Sequence, residues 1–450
     1  MNIVVVGAGK VGEYLCGDLA TEGNDITLIE KDKRRLERVV DQNDIMGIVG
    51  NGSSYEILLE ADVNNADVFI SVTPEDEVNI IACIIAKKLG AKYAIARVRN
   101  PEYSDHIDFM TDSMGIDMMF NPELEAAQDI IRSLEFPSAL NVETFAKGKV
   151  NIVEILLREG SYLDGMKLKD FQDERANKVL ICIVERDNEV YIPDGDFILR
   201  EGDIIYVTGS KEELMRFYIS VGEYNGKLKS TLIVGGSRIA YYLIDKLKEL
   251  NIKVKVVEND YDRAYALSES FPGVEIVAGD GTQPELLEEE RLQNYDSVVF
   301  LTGIDEENIL ISMFAKKEGV KKTITKVNRT SLLNIIGVTG LQTIVTPKQI
   351  VADRITRFVR AKMNKRGSKV DKLYRLAGNR VEAVEFVVSE NSKVTGMTLK
   401  EMNTINNLLI AYIVRNREII IPKGDTSLLP NDRVIVITTT RLEDLDHILA

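Results

Sequence analysis

Residues 1–12 read MNIVVVGAGKVG, and this stretch decides the fold. Four apolar β-formers, Ile3 to Val6, lead straight into Gly7-Ala8-Gly9-Lys10-Val11-Gly12. The pattern that follows predicts a helix over 11–22. Strand, tight glycine turn and helix are the setting in which G-x-G-x-x-G binds a dinucleotide. The first glycine permits the turn, the second lets a pyrophosphate approach the backbone, and the third lets helix and strand pack closely. The helix N-terminus adds free N–H groups and a partial positive charge.

Working outward, a strand over 26–30 ends on the acid Glu30. Its distance beyond the glycine turn is that of a carboxylate that takes the adenosine ribose. Asp32 and Arg35 follow, giving E-x-D-x-x-R. A helix is predicted over 33–41 and a strand over 46–49, which ends in Gly50-Asn51-Gly52-Ser53. A helix over 53–61 precedes a strand over 67–72, which ends at Thr73-Pro74. A helix over 76–89 leads to a strand over 93–97 that ends on Arg97. Alternating strands and helices imply a parallel, doubly wound sheet. Such sheets bind ligands at the carboxyl ends of their strands. Gly7 to Gly12, Glu30, Asn51, Thr73 and Arg97 all fall on that edge.

From about residue 137 the pattern changes. Strands are predicted over 149–158, 179–186, 190–193 and 203–208, with a hairpin across Asp187-Asn188 and a last helix over 211–219. This small α+β module has no glycine-rich loop. The chain then starts again. Thr231 to Ala240 echoes the opening, with Gly235, Gly236, Ser237, Arg238 and Ile239 in the turn. E-x-D-x-x-R recurs at Glu258, Asp260 and Arg263, and Gly279-Asp280-Gly281-Thr282 repeats the Gly50–Ser53 loop. Thr302 stands for Thr73, and Lys326 for Arg97. The small module recurs too, with Ile421-Pro422 standing for Ile192-Pro193. All these pairs are separated along the chain by nearly the same interval. The chain is therefore read as a tandem internal duplication. Each unit is a Rossmann-like domain with a doubly wound parallel sheet, followed by a small α+β domain. The expected bounds are 1–136, 137–222, 228–350 and 370–450. In the second copy Ser237 replaces the middle glycine and Ala240 the third. Serine adds bulk where a pyrophosphate would approach, so the second pocket is expected to be altered.

Composition narrows the function. The 450 residues carry a formal net charge of −15, which argues against nucleic acid as a partner. No apolar run approaches the roughly 20 residues of a bilayer span, so direct membrane insertion is not expected. The start lacks the basic region and the cleavage site of a signal peptide, so none is expected. Three cysteines, Cys16, Cys83 and Cys182, are too few and scattered for a disulfide framework or zinc site. A reduced cytoplasmic setting fits. Two histidines in unremarkable contexts offer no triad, so no catalytic and no metal residues are assigned.

Glu30 disfavours a 2′-phosphate, which selects NAD/NADH or ATP/ADP over NADP. Arg97 and Lys10 are candidate phosphate partners. Arg35 is either another or a surface partner of Asp32. The small modules concentrate no proton relay, so a sensor of nucleotide occupancy fits better than an enzyme. A pyridine-nucleotide oxidoreductase is the rival reading. The basic segment Arg354–Lys372 reads as a solvated helical linker, with a ring contact or ligand site as alternatives.

Taken together, VVGAGKVG, Glu30, the N-G-S loop at 51–53, V-T-x-x-D at 72–76, I-A-R at 95–97 and the repeated P-x-G-D…D-x-[IV]-x-V of the small modules resemble the TrkA family. These are peripheral cytoplasmic regulatory subunits of Trk-type potassium transporters. Their halves are RCK (regulator of potassium conductance) domains, each with a large N lobe and a small C lobe. The resemblance spans the whole chain, including the tandem order. It implies a homotetramer presenting eight N lobes as a ring beneath a dimeric Trk-type membrane subunit. It also implies NAD(H) and ATP/ADP as competing ligands that bias gating. By position it places Gly7 to Val11 on the pyrophosphate, Glu30 on the ribose, Thr73 and Pro74 near the adenosine and Arg97 near the phosphates. Gly235 to Ile239, Glu258, Thr302 and Lys326 match in the second copy. Some relatives bind cyclic di-AMP between small lobes; no motif assigns it here.

Overall fold

The computed structural model describes residues 1–104, 106–171, 179–222, 226–332, 341, 343–363, 369–416 and 418–450. Lys365 and Arg366 of the basic segment lie outside them. The first domain runs β1 (Asn2–Val6), α1 (Lys10–Thr21), β2 (Asp25–Glu30), α2 (Lys33–Gln42), β3 (Met46–Val49), α3 (Tyr55–Glu60), β4 (Val68–Ser71), α4 (Asp76–Leu89), β5 (Tyr93–Arg97), α5 (Pro101–Ser104), α6 (Ile107–Met114), β6 (Met118–Phe120) and α7 (Pro122–Glu135). Its sheet has the order β3-β2-β1-β4-β5-β6, and every pair is parallel. The order reverses between β1 and β4, which opens a crevice at their carboxyl ends. Ile3 to Val6 are buried on both faces, as a central parallel strand requires. Ile3 and Val5 pack under Leu15 and Leu19 of α1, while Val4 and Val6 face Ile80 and Ala82 of α4.

A small antiparallel domain follows: β7 (Val142–Phe145), β8 (Val150–Leu156), β9 (Leu180–Arg186), β10 (Glu189–Tyr191), β11 (Ile204–Gly209) and α8 (Lys211–Ser220), in the sheet order β10-β9-β11-β8-β7. The expected hairpin is present. Asp187 and Asn188 both have positive φ, 51° and 64°, as a tight turn between right-twisted strands demands.

The second half repeats the plan with β12 (Ser230–Val234), α9 (Arg238–Glu249), β13 (Lys253–Glu258), α10 (Tyr261–Ser270), β14 (Glu275–Ala278), α11 (Pro284–Glu289), β15 (Ser297–Phe300), α12 (Asp305–Lys317), β16 (Lys322–Lys326), β17 (Thr343–Val345) and α13 (Pro347–Met363). Its sheet order, β14-β13-β12-β15-β16-β17, is that of the first. The last domain holds β18 (Lys369–Leu376), β19 (Val381–Val387), β20 (Leu408–Arg415), β21 (Glu418–Ile420) and β22 (Arg433–Thr438), in the order β18-β19-β22-β20-β21. Where the first small domain closes with α8, the last ends in a 3₁₀ turn over Leu445–Ile448.

Two features go beyond the periodicity. Each parallel sheet gains a sixth strand, β6 or β17, and each small sheet gains a leading strand, β7 or β18. Each large domain also ends in a long helix that crosses to the other half. Ala126, Ala127 and Ile130 of α7 pack on Ile239, Leu243 and Leu247 of α9. Val351, Ile355 and Val359 of α13 pack with Leu15 and Leu19 of α1. Helix α13 runs through the expected domain end at 350. The solvated reading of the basic segment fails at Arg360, which is only 5% exposed. The two small sheets also share one core, in which Phe145, Ile183 and Tyr206 meet Ala383, Tyr412 and Ile435. Among the described residues no helix is long and apolar enough to cross a membrane, and no group of three His, Cys, Asp or Glu could hold a metal ion.

Candidate functional site

The glycine turn assigns each glycine a distinct task. Gly7 has φ +101°, a conformation that side chains disfavour, and a Cβ there would meet the Thr73 backbone at 3.1 Å. A Cβ on Gly12 would lie 1.9 Å from the Gly7 carbonyl oxygen. At Gly9 no protein atom comes within 4 Å of a Cβ position, so a side chain there would meet only a ligand. Gly9 also precedes α1 without a side-chain cap, which leaves first-turn N–H groups directed at that space.

Glu30 braces this turn. Its Oε2 accepts from Ala8 N at 2.7 Å and its Oε1 from Asp32 N at 3.0 Å. Each carboxylate oxygen keeps a lone pair for a ribose hydroxyl. Asp32 caps α2, accepting from Arg34 N at 2.9 Å and Arg35 N at 3.1 Å. The Arg35 backbone N–H, with that of Arg34, holds its carboxyl below the usual range. Asn51 accepts from Ser53 N at 3.2 Å and Asp280 from Thr282 N at 3.0 Å, so both shape their loops.

Gly7, Gly9, Glu30 and Arg35 line a cleft of about 210 Å³ together with Asn51, Gly52, Thr73 and Pro74. Those eight expected residues are brought together. Lys10, Val11 and Arg97 instead face a cavity of about 850 Å³ between the two halves, which they share with Gly236, Ser237, Arg238, Ile239 and Lys326.

That cavity is strongly cationic. Lys10, Arg97, Arg99, Arg238, Arg263, Lys326 and Lys348 line it, against the single acid Glu123, in a chain of net charge −15. Burial, then the like charge of Arg99, pushes Arg97 down to about 10. Burial also lowers Lys326, with Lys10 adding to the effect. The Nε atoms of Arg97 and Arg99 and the Ser237 hydroxyl are buried without hydrogen-bond partners among the described residues. An anion placed in the cavity would relieve the repulsion among these cations.

Sequence reasoning missed Asn79 and its counterpart Asn308. Asn79 is fully buried. Its Oδ1 accepts from Thr73 N at 2.8 Å, and its Nδ2 donates to the Arg97 carbonyl at 2.9 Å. Asn308 does the same for Thr302 N at 3.0 Å and the Lys326 carbonyl at 3.0 Å. Each asparagine ties two strand ends together. The two stand apart by the same interval that relates the other paired positions, and that was the available signal. Arg97 donates to the Thr73 carbonyl, and Lys326 Nζ donates to the Leu301 carbonyl at 3.0 Å.

The two copies differ more at Glu258 than at Ser237. Ser237 (φ −69°, ψ 172°) repeats the backbone of Gly9 (φ −72°, ψ −178°), so its side chain strains nothing. Gly235 repeats the φ of +101° seen at Gly7. Glu258, however, is only 2% exposed, whereas Glu30 is half-buried. Gly236 stands where Ala8 stood. A Cβ there would sit 2.6 Å from Leu267 Cδ1 and 3.0 Å from Glu258 Oε2, so Leu267 of α10 packs close beside the Glu258 carboxylate.

The TrkA-N domain family matches residues 3–122 and 231–347, and the TrkA-C domain family matches 152–219 and 383–449. The chain is 34% identical over 436 residues to a Trk system potassium uptake protein TrkA homolog of Archaeoglobus fulgidus, covering 97% of each. It is 30% identical to Trk system potassium uptake protein TrkA of Halomonas elongata, covering 100% of this chain and 98% of the other. The crystal structure of the GsuK RCK domain shares the fold, with a TM-score of 0.64 at 16% identity over 98% of this chain and 92% of the other. With both domain families matched twice in tandem and relatives aligned end to end, the chain belongs to the TrkA family.

Proposed function

We propose that this chain is a non-enzymatic regulatory subunit. It binds NAD/NADH or ATP/ADP and gates potassium uptake through a Trk-type membrane subunit. The observation that carries this reading is the cationic cavity that continues from the glycine turn in an otherwise acidic chain. The adenosine lies in the smaller cleft with its ribose on Glu30 and its base near Thr73 and Pro74. The phosphates cross the first turn of α1 toward Arg97, Arg238 and Lys326. Residues of both halves thereby close on one ligand, which converts occupancy into their relative arrangement. Relatives of this fold are described as GsuK channel bound to NAD and GsuK bound to ADP, which supports such ligands. By family likeness the subunit works as a homotetrameric ring on the cytoplasmic face of a dimeric membrane partner. Cyclic di-AMP at the small domains is a further ligand to test.

Calorimetric titration of the full chain with NAD, NADH, ATP, ADP and cyclic di-AMP tests this. Glu30→Ala removes the ribose acceptor and the turn's brace. It is expected to weaken NADH binding by about 10- to 100-fold, the worth of hydrogen bonds to a charged group. Native-like affinity in that variant, or steady NADH oxidation by the wild-type chain with a carbonyl substrate, would overturn the reading.

A further inference from the structure

Helix α1 begins at the glycine turn and ends in a buried ionic clasp. Glu22 caps its C-terminus, where the helix dipole disfavours an acid. Three arginines compensate. Arg360 of α13 grips Glu22 in bidentate fashion, Nε to Oε2 at 2.8 Å and Nη2 to Oε1 at 2.6 Å. Arg375 of β18 reaches the same Oε1 at 2.6 Å and also pairs with Asp18. Arg441 Nη1 donates to the Glu22 carbonyl at 3.1 Å. Thr356 donates to Asp18 at 2.8 Å, and Arg360 continues to Glu382 of β19 at 2.9 Å. The side chains of Arg360, Arg375, Glu22 and Asp18 are 4%, 8%, 9% and 10% exposed, so solvent screens these contacts little.

The acids belong to the first large domain, and the arginines to α13 and the second small domain. Separating them would leave charges buried and unpaired, so both sides must move together. The corresponding contact of the other half is different in kind. At the matching positions stand Lys246 and Leu250, and α9 meets α7 through apolar side chains and one buried neutral hydrogen bond, Asn121 Nδ2 to the Tyr242 hydroxyl at 2.8 Å, instead of through ion pairs.

We infer that Asp18 and Glu22 are coupling residues. Through them, occupancy of the Gly7–Gly12 turn is reported along the rigid α1 to the second small domain in preference to the first. This rests on the nucleotide reading above. A shift of the α1 N-terminus on binding phosphate is carried about 18 Å, the length of a 12-residue helix, to the clasp.

Hydrogen exchange of the full chain with and without saturating NADH, with affinity measured by calorimetry on the same samples, tests the inference. NADH is expected to change exchange in 369–388 at least about threefold more than in 142–156. The double variant Asp18→Asn, Glu22→Gln should bind NADH within about threefold of the native chain yet lose most of the 369–388 response. Arg441→Ala removes the most exposed of the three arginines, keeps the fold and should give an intermediate loss. Undiminished response in a double variant that binds NADH overturns the inference, as does an equal response of both small domains. If the double variant does not fold, an unchanged response in Arg441→Ala overturns it. Absence of NADH binding by the wild-type chain would instead overturn the nucleotide reading itself.

Discussion

An Arg360→Met chain is expected to be about 3–5 kcal/mol less stable than the native chain at pH 8, the usual cost of removing one partner from a buried ion pair. Methionine preserves most of the volume, so the loss is electrostatic. Arg360 supplies two hydrogen bonds to Glu22 and one to Glu382. Burial acts on Glu22 most strongly and favours the protonated form. The Arg360 hydrogen bond and the charges of Arg360, Arg441 and Arg375 outweigh it, so the native carboxyl sits below its usual value. The pH dependence follows. In the native chain this contribution is fully present above the unfolded carboxyl pKa and is lost only as pH falls through the lower folded value. In the variant the hydrogen bond and charge of Arg360 are gone while Arg375 and Arg441 stay on Glu22, so its carboxyl pKa rises from the native value. The folded variant then protonates at a higher pH than the native chain does, and the deficit narrows as pH falls from 8 into the carboxyl range at about 4. Urea unfolding of both chains at the two pH values measures this. A deficit below about 1 kcal/mol, typical of an exposed pair, would refute the account, as would one independent of pH.

Replacing Gly12 with valine is expected to abolish measurable nucleotide binding and to cost about 1–3 kcal/mol of stability through overpacking. The Gly12 position faces the Gly7 carbonyl oxygen, only 1.9 Å from where a Cβ would be built, and lies 3.3 Å from the Val72 side chain. Backbone cannot yield as a flexible side chain can, so α1 must retreat from β1 and the turn must open. The N–H groups that would meet a pyrophosphate are carried away with it. The second half bears Ala240 at this position, fully buried, so a single methyl is accommodated once the neighbouring turn is spaced for it. Valine adds two further carbons to a turn spaced for none. Calorimetry with NADH and a thermal melt read the two effects; native-like affinity would refute the close-approach role of Gly12.

Much of this was legible because the signals are local. A buried strand followed by a glycine turn, an acid at the end of the next strand and a polar residue at the ends of β3 and β4 each carry their meaning within a few residues. Repetition at a constant interval then doubled every reading. Strands as short as β6 and β17 have no periodicity to detect, so the sheets look one strand too narrow from sequence. The apolar stripes of α7 and α13 announce that those helices are buried, not that they are buried against the opposite half. Arg360 reads as one more cation in a basic stretch because its partner Glu22 lies far away in the chain, near the end of the first helix. The cationic cavity was hidden for the same reason. Arg99 and Lys348 stand outside any motif, and only the apposition of the halves gathers them with the rest.

The exchange of α7 and α13 between halves has an evolutionary consequence. In a protein that pairs with an identical copy, any substitution at the shared face appears on both sides at once, and one residue must serve two roles. Joining the copies in one chain removes that constraint. Each half always meets the same, different neighbour, so one face can specialise as the seat of a ligand and the other as its counterpart. Leu267 beside Glu258, Ser237 in the shared cavity and arginines clasping only α1 are what such a released pair accumulates. A covalent link of this kind lets a symmetric partnership become a division of labour.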